Sequence, residues 1–355
     1  MKKIFLILFF ASTLNSQFKI GKYSGEFLAT GFGSRALGLG GASVALVSDV
    51  TSAYWNPAAL AKLNYPEISF MHDERFGSLV NYDYGGAAIP FGNNFDTENV
   101  LLDENGNATL QKQFDVSTFA ISLTRLGVDG ISDTRNSWAD SNSNGIFDEF
   151  SRPEINKITY FNAADWVLYL SYAKQHSEKL FWGANVKLIR RSFKEIGASG
   201  IGIDFGALYD FNDNLTFGLS AQDISTTLLF WSTGKNEIIT PTIKLGSAFQ
   251  LNIWKGKIAL ATDFDFRFEG RQTASFSDLG AMSIDPRIGI EYDYDGIVAV
   301  RAGVNDIGNL TLGAGIHLRK IDVDYSFAKF DAADELGNSH RISLRIKIEE
   351  EQFKR

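Results

Sequence analysis

The segment Leu215-Thr-Phe-Gly-Leu-Ser-Ala-Gln222 puts Leu215, Phe217, Leu219 and Ala221 on one face and Thr216, Gly218, Ser220 and Gln222 on the other. Alternation with period two marks a strand with one apolar and one polar side. Leu310 to Leu318 repeats it, with Thr311, Gly313, Gly315 and His317 set against Leu310, Leu312, Ala314, Ile316 and Leu318. Ile342, Leu344, Ile346 and Ile348 alternate in the same way with Arg341, Ser343, Arg345 and Lys347. About fourteen such segments occur along the chain. They lie near 67–74, 78–90, 116–126, 165–176, 179–193, 199–211, 214–224, 241–253, 256–268, 285–294, 297–305, 308–318, 319–329 and 338–348. Most exceed the ~5–6 residues usual for soluble strands and match the ~9–11 of a tilted strand crossing a membrane.

The connections between these segments alternate in length. Short turns fall around His176-Ser-Glu178, Asn212-Asp213, Trp254-Lys255, Asp295-Gly296 and Leu318-Arg319. Long connections reach to about Ala164 and span Ile224–Thr240, Glu269–Ile284 and Phe330–Gly337. Outer-membrane barrels have this asymmetry, with tight periplasmic turns and longer external loops. Phe91–Asp115 departs from it, being long where a short turn is expected.

A soluble β-sandwich also alternates apolar and polar residues, but its apolar face is the protein core. Two features favour the membrane barrel. Lys2 and Lys3 followed by apolar Ile4–Leu14 read as a signal peptide, cleaved near Ser16–Gln17 and too short to span a bilayer. Aromatic residues also gather near strand ends, among them Tyr160, Trp166, Trp182, Phe230, Trp231, Trp254, Tyr292 and Tyr294. The expected fold is therefore all-β: a transmembrane antiparallel β-barrel of about fourteen strands. Its polar faces, carrying Lys187, Arg191, Asp263, Asp265, Arg267, Arg287, Glu291, Asp293, Arg301, Asp322, Asp324, Arg341, Arg345 and Lys347, would point inward. The mixed signs suggest paired charges filling the interior rather than one selective ring.

Composition removes several function classes. The 355 residues include no cysteine and only 4 histidines, which leaves no disulfide framework, thiolate site or multi-histidine zinc site. A net charge of −8 argues against nucleic acid as a partner. No nucleophile elbow, phosphate loop or zinc-protease motif is present, and the chain is not expected to be an enzyme. Asp263 and Asp265, two apart on one strand, read as solvated interior rather than an acid/base pair.

Two further stretches stand out. Asp140-Ser-Asn142-Ser-Asn144-Gly145-Ile146-Phe-Asp148-Glu149 follows the first part of a calcium loop, with oxygen ligands at alternate positions and a glycine for the turn. Asp140, Asn142 and Asn144 would coordinate by side chain, Ile146 by its carbonyl, and Asp148 directly or through water. Position twelve is Ser151 where a bidentate Glu is expected, and Glu149 would have to substitute. The other reading is a polar, turn-rich loop without an ion. Gly33–Leu63, reading GSRALGLGGASVALVSDVTSAYWNPAALAKL, is too rich in glycine and small residues for an ordinary core helix and reads as an N-terminal plug. Within it Pro57 fixes its own φ and biases Asn56 away from the helical region, marking a turn or a helix start.

Ile20-Gly21, Gly33-Ser-Arg35-Ala-Leu-Gly38-Leu-Gly40-Gly41-Ala42, Asp49 and Tyr54-Trp55-Asn56-Pro57-Ala58-Ala59-Leu60 together resemble the PorV/PorQ family of outer-membrane proteins. That family lies within the FadL-like superfamily of long-chain fatty-acid transporters. The resemblance covers residues 20–65, and the strand count and loop asymmetry agree with a fourteen-stranded FadL-like barrel. It implies a plug carrying Gly40, Gly41, Asp49, Trp55, Asn56, Pro57 and Ala58. The implied divisions are a signal peptide (1–16), a plug (17–65), a barrel (66–348) with an external loop at 133–151, and a tail (349–355). PorV-like members work with type IX secretion, holding exported cargo at the outer membrane. FadL-like members pass hydrophobic molecules through the barrel and out through a wall opening; the expected role is the secretion accessory, with hydrophobic transport as its alternative. Outer-membrane lipid surrounds either kind; the further partners are secretion components and cargo in one, a hydrophobic ligand in the other. One departure is the end of the chain, where Ile348 is followed by EEEQFKR, with Phe353 displaced from the usual terminal aromatic position.

Overall fold

The computed structural model describes residues 19–20, 25–92, 97–102, 108–113, 116–140, 151–270, 275–329 and 338–349. Period-two alternation becomes a closed wall of fourteen strands. They are β1 (Glu67–Arg75), β2 (Val80–Phe91), β3 (Ser117–Asp133), β4 (Thr159–Gln175), β5 (Leu180–Phe193), β6 (Ile196–Asp210) and β7 (Leu215–Gln222). The series continues with β8 (Thr242–Ile253), β9 (Gly256–Arg267), β10 (Met282–Tyr294), β11 (Val298–Val304), β12 (Leu310–His317), β13 (Ile321–Lys329) and β14 (Asn338–Lys347). Each pairs antiparallel with the next, and β14 returns to β1 with Glu67 opposite Lys347 and Glu74 opposite His340. Closure leaves the main wall without a free edge, which lipid requires because it cannot satisfy backbone groups.

The two faces of the wall are the inverse of a soluble protein. Outward residues are apolar and exposed: Ile201, Ile203 and Phe205 on β6, Leu245 and Phe249 on β8, Ile288 and Ile290 on β10. Inward residues on the same wall include buried Lys187, Lys244, Asp263, Asp265, Arg287 and Arg301. A sandwich core would require the reverse, so the alternation resolves as a membrane barrel of the outer-membrane type. No described helix is long and apolar enough to cross a membrane. Exposed aromatics ring both ends of the apolar belt, with Phe91, Tyr209 and Trp254 at one and Tyr160, Trp166 and Phe230 at the other.

Two features lay outside the alternation. Strands β3 and β4 are longer than the expected 116–126 and 165–176, because Gly127–Asp133 and Thr159–Ala164 continue the pairing with too few apolar residues to display a period. A bulge lies between Val128 and Ile131, where Gly130 takes φ +70°, a conformation suited to glycine. The long connection after β2 contains its own hairpin, Thr97–Leu102 with Ala108–Gln113, on the end where the other turns are tight. A second hairpin, Thr227–Trp231 with Asn236–Ile239, pairs with the upper part of β6, and Lys19–Ile20 adds to its edge as a parallel strand.

Trp138–Asp140 pairs with Ser151–Pro153, so positions one and twelve of the calcium-like loop are cross-strand neighbours. Asn142, Asn144, Ile146, Asp148 and Glu149, and the signal segment 1–16, lie outside the described residues. Among the described residues no group of three or more acidic or histidine side chains is arranged to hold a metal.

Replacing Ile203, in the middle of the outward face of β6, by Arg is expected to cost about 2–4 kcal/mol in urea unfolding of the barrel in lipid vesicles. A cost below roughly 0.5 kcal/mol, the range of a water-exposed surface change, would place that face away from lipid.

Candidate functional site

Inside the wall lies the segment from Gly25 to Leu63, made of short turns of helix: α1 (Glu26–Ala29), α2 (Ser34–Gly38), α3 (Ser52–Trp55) and a 3-10 helix over Pro57–Lys62. Asn56 is the pivot. Its backbone is extended, with φ −159°, and its side-chain oxygen accepts from the Ala58 N–H at 3.1 Å, capping the helix that Pro57 begins. Its amide nitrogen donates to the carbonyls of Val44 at 2.9 Å and Ala207 at 3.0 Å, the second of these on β6. One buried side chain thus ties two parts of the inner segment to each other and to the wall. Asp49 accepts from the Thr51 N–H at 2.8 Å and hydroxyl at 2.5 Å, and Trp55 donates to the Phe32 carbonyl at 2.8 Å.

The wall receives this segment on a row of inward glycines. Gly183, Gly206, Gly218, Gly246, Gly289, Gly303 and Gly313 come from β5, β6, β7, β8, β10, β11 and β12. Each lies against the inner segment, successively at Pro57, Asn56, Val44, Val44, Leu39, Leu39 and Gly38. A methyl group on Gly218 would stand 2.6 Å from the Val44 carbonyl oxygen, and one on Gly289 2.5 Å from that of Leu39. No side chain fits there; the contact is backbone on backbone. Gly40 adopts φ +69° where it meets the backbone of Val304, and Gly41, at φ +82°, lies beside Arg287. Strand β9 supplies a carboxylate in place of a glycine. Asp263, only 1% exposed, accepts the N–H groups of Ser43 at 2.6 Å and Val44 at 2.9 Å. This corrects the expectation that Asp263 and Asp265 line a solvated interior: burial by the inner segment makes both dry.

Ion pairs complete the seating. Arg35 forks onto Glu291 at 2.9 and 2.7 Å, and Glu291 also meets Arg301 at 2.5 Å, which reaches Asp324 at 2.6 Å. Asp49 lies 3.6 Å from Arg345. Lys244, 3.6 Å from Asp265, sits over the rings of Tyr54 at 4.9 Å and Trp55 at 5.5 Å. From the turn between β11 and β12, Asp306 reaches down to Arg287 at 2.9 Å and Arg267 at 3.2 Å. Burial alone would raise its carboxyl, but the two guanidinium groups hold it well below the usual carboxylate range.

Above the inner segment, at the end of the long loops, a chamber of about 540 Å³ remains. Its floor is Phe27 and Thr30, and its sides include Leu126, Val128, Ala163, Phe193 and Trp231. Two cations border it, each already with a carboxylate, and Glu26 adds a further carboxylate to the lining. Arg191 donates to Asp165 at 2.8 and 3.0 Å and lies 4.3 Å above the Phe27 ring; Arg75 donates to Asp73 at 2.6 Å. Below the floor an aromatic stack continues inward, with Phe32 4.2 Å from Tyr84, 5.1 Å from Tyr54 and 6.0 Å from Tyr169. The apolar part of this lining suits a hydrophobic molecule.

Of the motif residues, Asn56 and Pro57 meet the wall glycines directly, Gly40 meets the wall backbone, and Trp55 and Asp49 hold the inner segment to itself. The chamber residues Phe27 and Val128 carry no signal at the level of sequence, and Trp231 reads there only as an aromatic near a strand end, since the three come from distant elements. Asn56→Ala leaves two carbonyls and one N–H without their partner and is expected to cost about 3 kcal/mol. It should also open the chain to trypsin at Arg35 or Lys62 in a barrel that still migrates as folded in unheated gels. A folded variant as protease-resistant as the parent would show that Asn56 does not hold the segment.

No protein-family model matches the sequence. No curated protein matches it either. Among solved structures, the toluene transporter TodX of P. putida aligns over 90% of this chain and 99% of its own, with a TM-score of 0.52 and 14% identity. The Ralstonia pickettii toluene transporter TbuX aligns over 89% of this chain and 98% of its own, with a TM-score of 0.50 and 14% identity. At that identity the likeness is one of fold: the chain shares with these transporters an outer-membrane barrel of fourteen antiparallel strands.

Proposed function

We propose that the protein takes up a small, uncharged hydrophobic molecule at the outer membrane, binding it in the chamber above Phe27. The chamber itself is the observation that carries this reading: about 540 Å³, floored by an aromatic ring and lined by Leu126, Val128, Ala163, Phe193 and Trp231, with both bordering arginines paired to Asp165 and Asp73 and Glu26 as a further carboxylate. Volumes of this size accommodate ligands of drug-like dimensions. The two toluene transporters of like fold support the same class of ligand.

A second reading rests on the glycine row. Residues 38–58 are pressed against glycines of seven wall strands, several of them backbone to backbone. A barrel packed in this way is also suited to act as a rigid accessory in the membrane, and the PorV/PorQ resemblance then points to type IX secretion, with exported cargo as partner.

Titration of the detergent-purified barrel with toluene, and separately with oleate, tests the first reading. One toluene-sized molecule should bind per barrel, and Phe27→Ala or Val128→Asp should weaken it about tenfold, the effect of losing one good apolar contact. Absence of saturable binding by either probe, combined with co-purification of secretion components or cargo, would replace the first reading by the second.

A further inference from the structure

The outward face of β2 to β6 carries a second concavity, separate from the chamber. Ala87, Ile121, Leu170, Ala184, Val186 and Ile203 line a groove of about 500 Å³. Five of them form one rung across the wall, Ala87 opposite Ile121, Ile121 opposite Leu170, Leu170 opposite Val186 and Val186 opposite Ile203. The depression exists because Ala87 and Ala184 are small where their outward neighbours Ile89, Phe119 and Tyr172 are large. It lies within the apolar belt, so what covers it in a membrane is hydrocarbon.

On the same strands, toward the long-loop end, stands a rung of different chemistry. Trp166 is the cross-strand neighbour of Arg125 on one side and Arg190 on the other, with Ser199 next in line. Arg125 is committed: it donates to Asp129 at 2.6 Å and lies over the Trp166 ring at 5.8 Å. Arg190 is exposed, and its guanidinium donates to the Ser199 hydroxyl at 3.0 Å. Among the described residues it meets no carboxylate. An arginine on a lipid-facing surface without a carboxylate partner suits a phosphate, which the guanidinium can bind in fork geometry.

The spacing of the two rungs fits one molecule. Ala184 is six residues below Arg190 on β5. At ~3.4 Å per residue and a tilt near 40° this is about 15 Å along the membrane normal, half of a ~30 Å hydrocarbon core. We propose that this face is a binding site for one phosphorylated lipid of the outer leaflet. Its phosphate is held by Arg190 beside Trp166, and one acyl chain runs down past Leu188 into the groove at Ala184. A lipid of the periplasmic leaflet fits less well, because only the Lys174–Trp182 rung separates the Ala184 rung from the short-turn end of the strands.

Native mass spectrometry of the barrel extracted from outer membranes into mild detergent, followed by lipid analysis of the retained mass, tests the site. The parent should keep about one phosphorylated outer-leaflet lipid. Arg190→Glu should lower that occupancy about fivefold, the effect of a juxtamembrane basic residue on an anionic lipid. Ala184→Trp, which fills the groove, should lower it as much without altering the charge. Both variants must retain heat-modifiable migration, the sign of a closed barrel; if one does not, Arg190→Gln and Ala184→Leu take their places. Unchanged occupancy in folded variants at both positions overturns the proposal. So does a retained lipid of the periplasmic leaflet, or a second copy of the barrel covering this face in place of lipid.

Discussion

Everything inside this barrel depends on how closely a backbone can approach another backbone. Seven wall strands present glycine at the level where the inner segment crosses them, and Val44, Leu39 and Asn56 occupy the space that side chains would otherwise take. The polar groups of the inner segment are then satisfied by the wall itself, by Asp263 beneath Ser43 and Val44 and by the Ala207 carbonyl beneath Asn56. A dry interior rich in charge is tolerable only where opposite charges lie close together, since an orphaned buried charge costs several kcal/mol, on the order of 3–5. The row of glycines and the lattice of ion pairs are therefore parts of one solution: close approach excludes water, and excluded water obliges each charge to find its partner.

The wall was legible from the sequence because a barrel strand buries and exposes alternate residues, and period two survives without tertiary knowledge. All fourteen segments read from alternation correspond to wall strands, including the short β7 and β12. The readings fell short at Gly127–Asp133 and Thr159–Ala164, where strands rise beyond the apolar belt and no longer need an apolar face. The interior was less legible. Gly218 and Gly303 look like any small residue on a polar face, and only the folded chain reveals that each faces the backbone of residues more than 170 positions away. The chamber was not legible at all. Phe27, Val128 and Trp231 meet because a bulge, a hairpin and a helical turn converge at one end of the barrel.

The mixture of chemistries bears on how such a barrel can act. The short-turn half of the interior is cross-linked by Arg35–Glu291 and Asp49–Arg345, and the long-loop half, which holds the chamber, by Lys244–Asp265, Arg191–Asp165 and Asp306–Arg287. Ion pairing therefore runs the length of the barrel, and on the proposed uptake reading a ligand would exchange at the chamber end.

The closing seam bears on assembly. Strand β14, the last to be made, pairs with β1, and the N–H of Ser34 is bonded to the hydroxyl of Ser343, 309 positions away, at 2.8 Å. The glycine seats and the inner segment fit each other, so seating residues 25–63 is coupled to closing the wall. Such extreme separation of contacting residues predicts slow, late-committing folding.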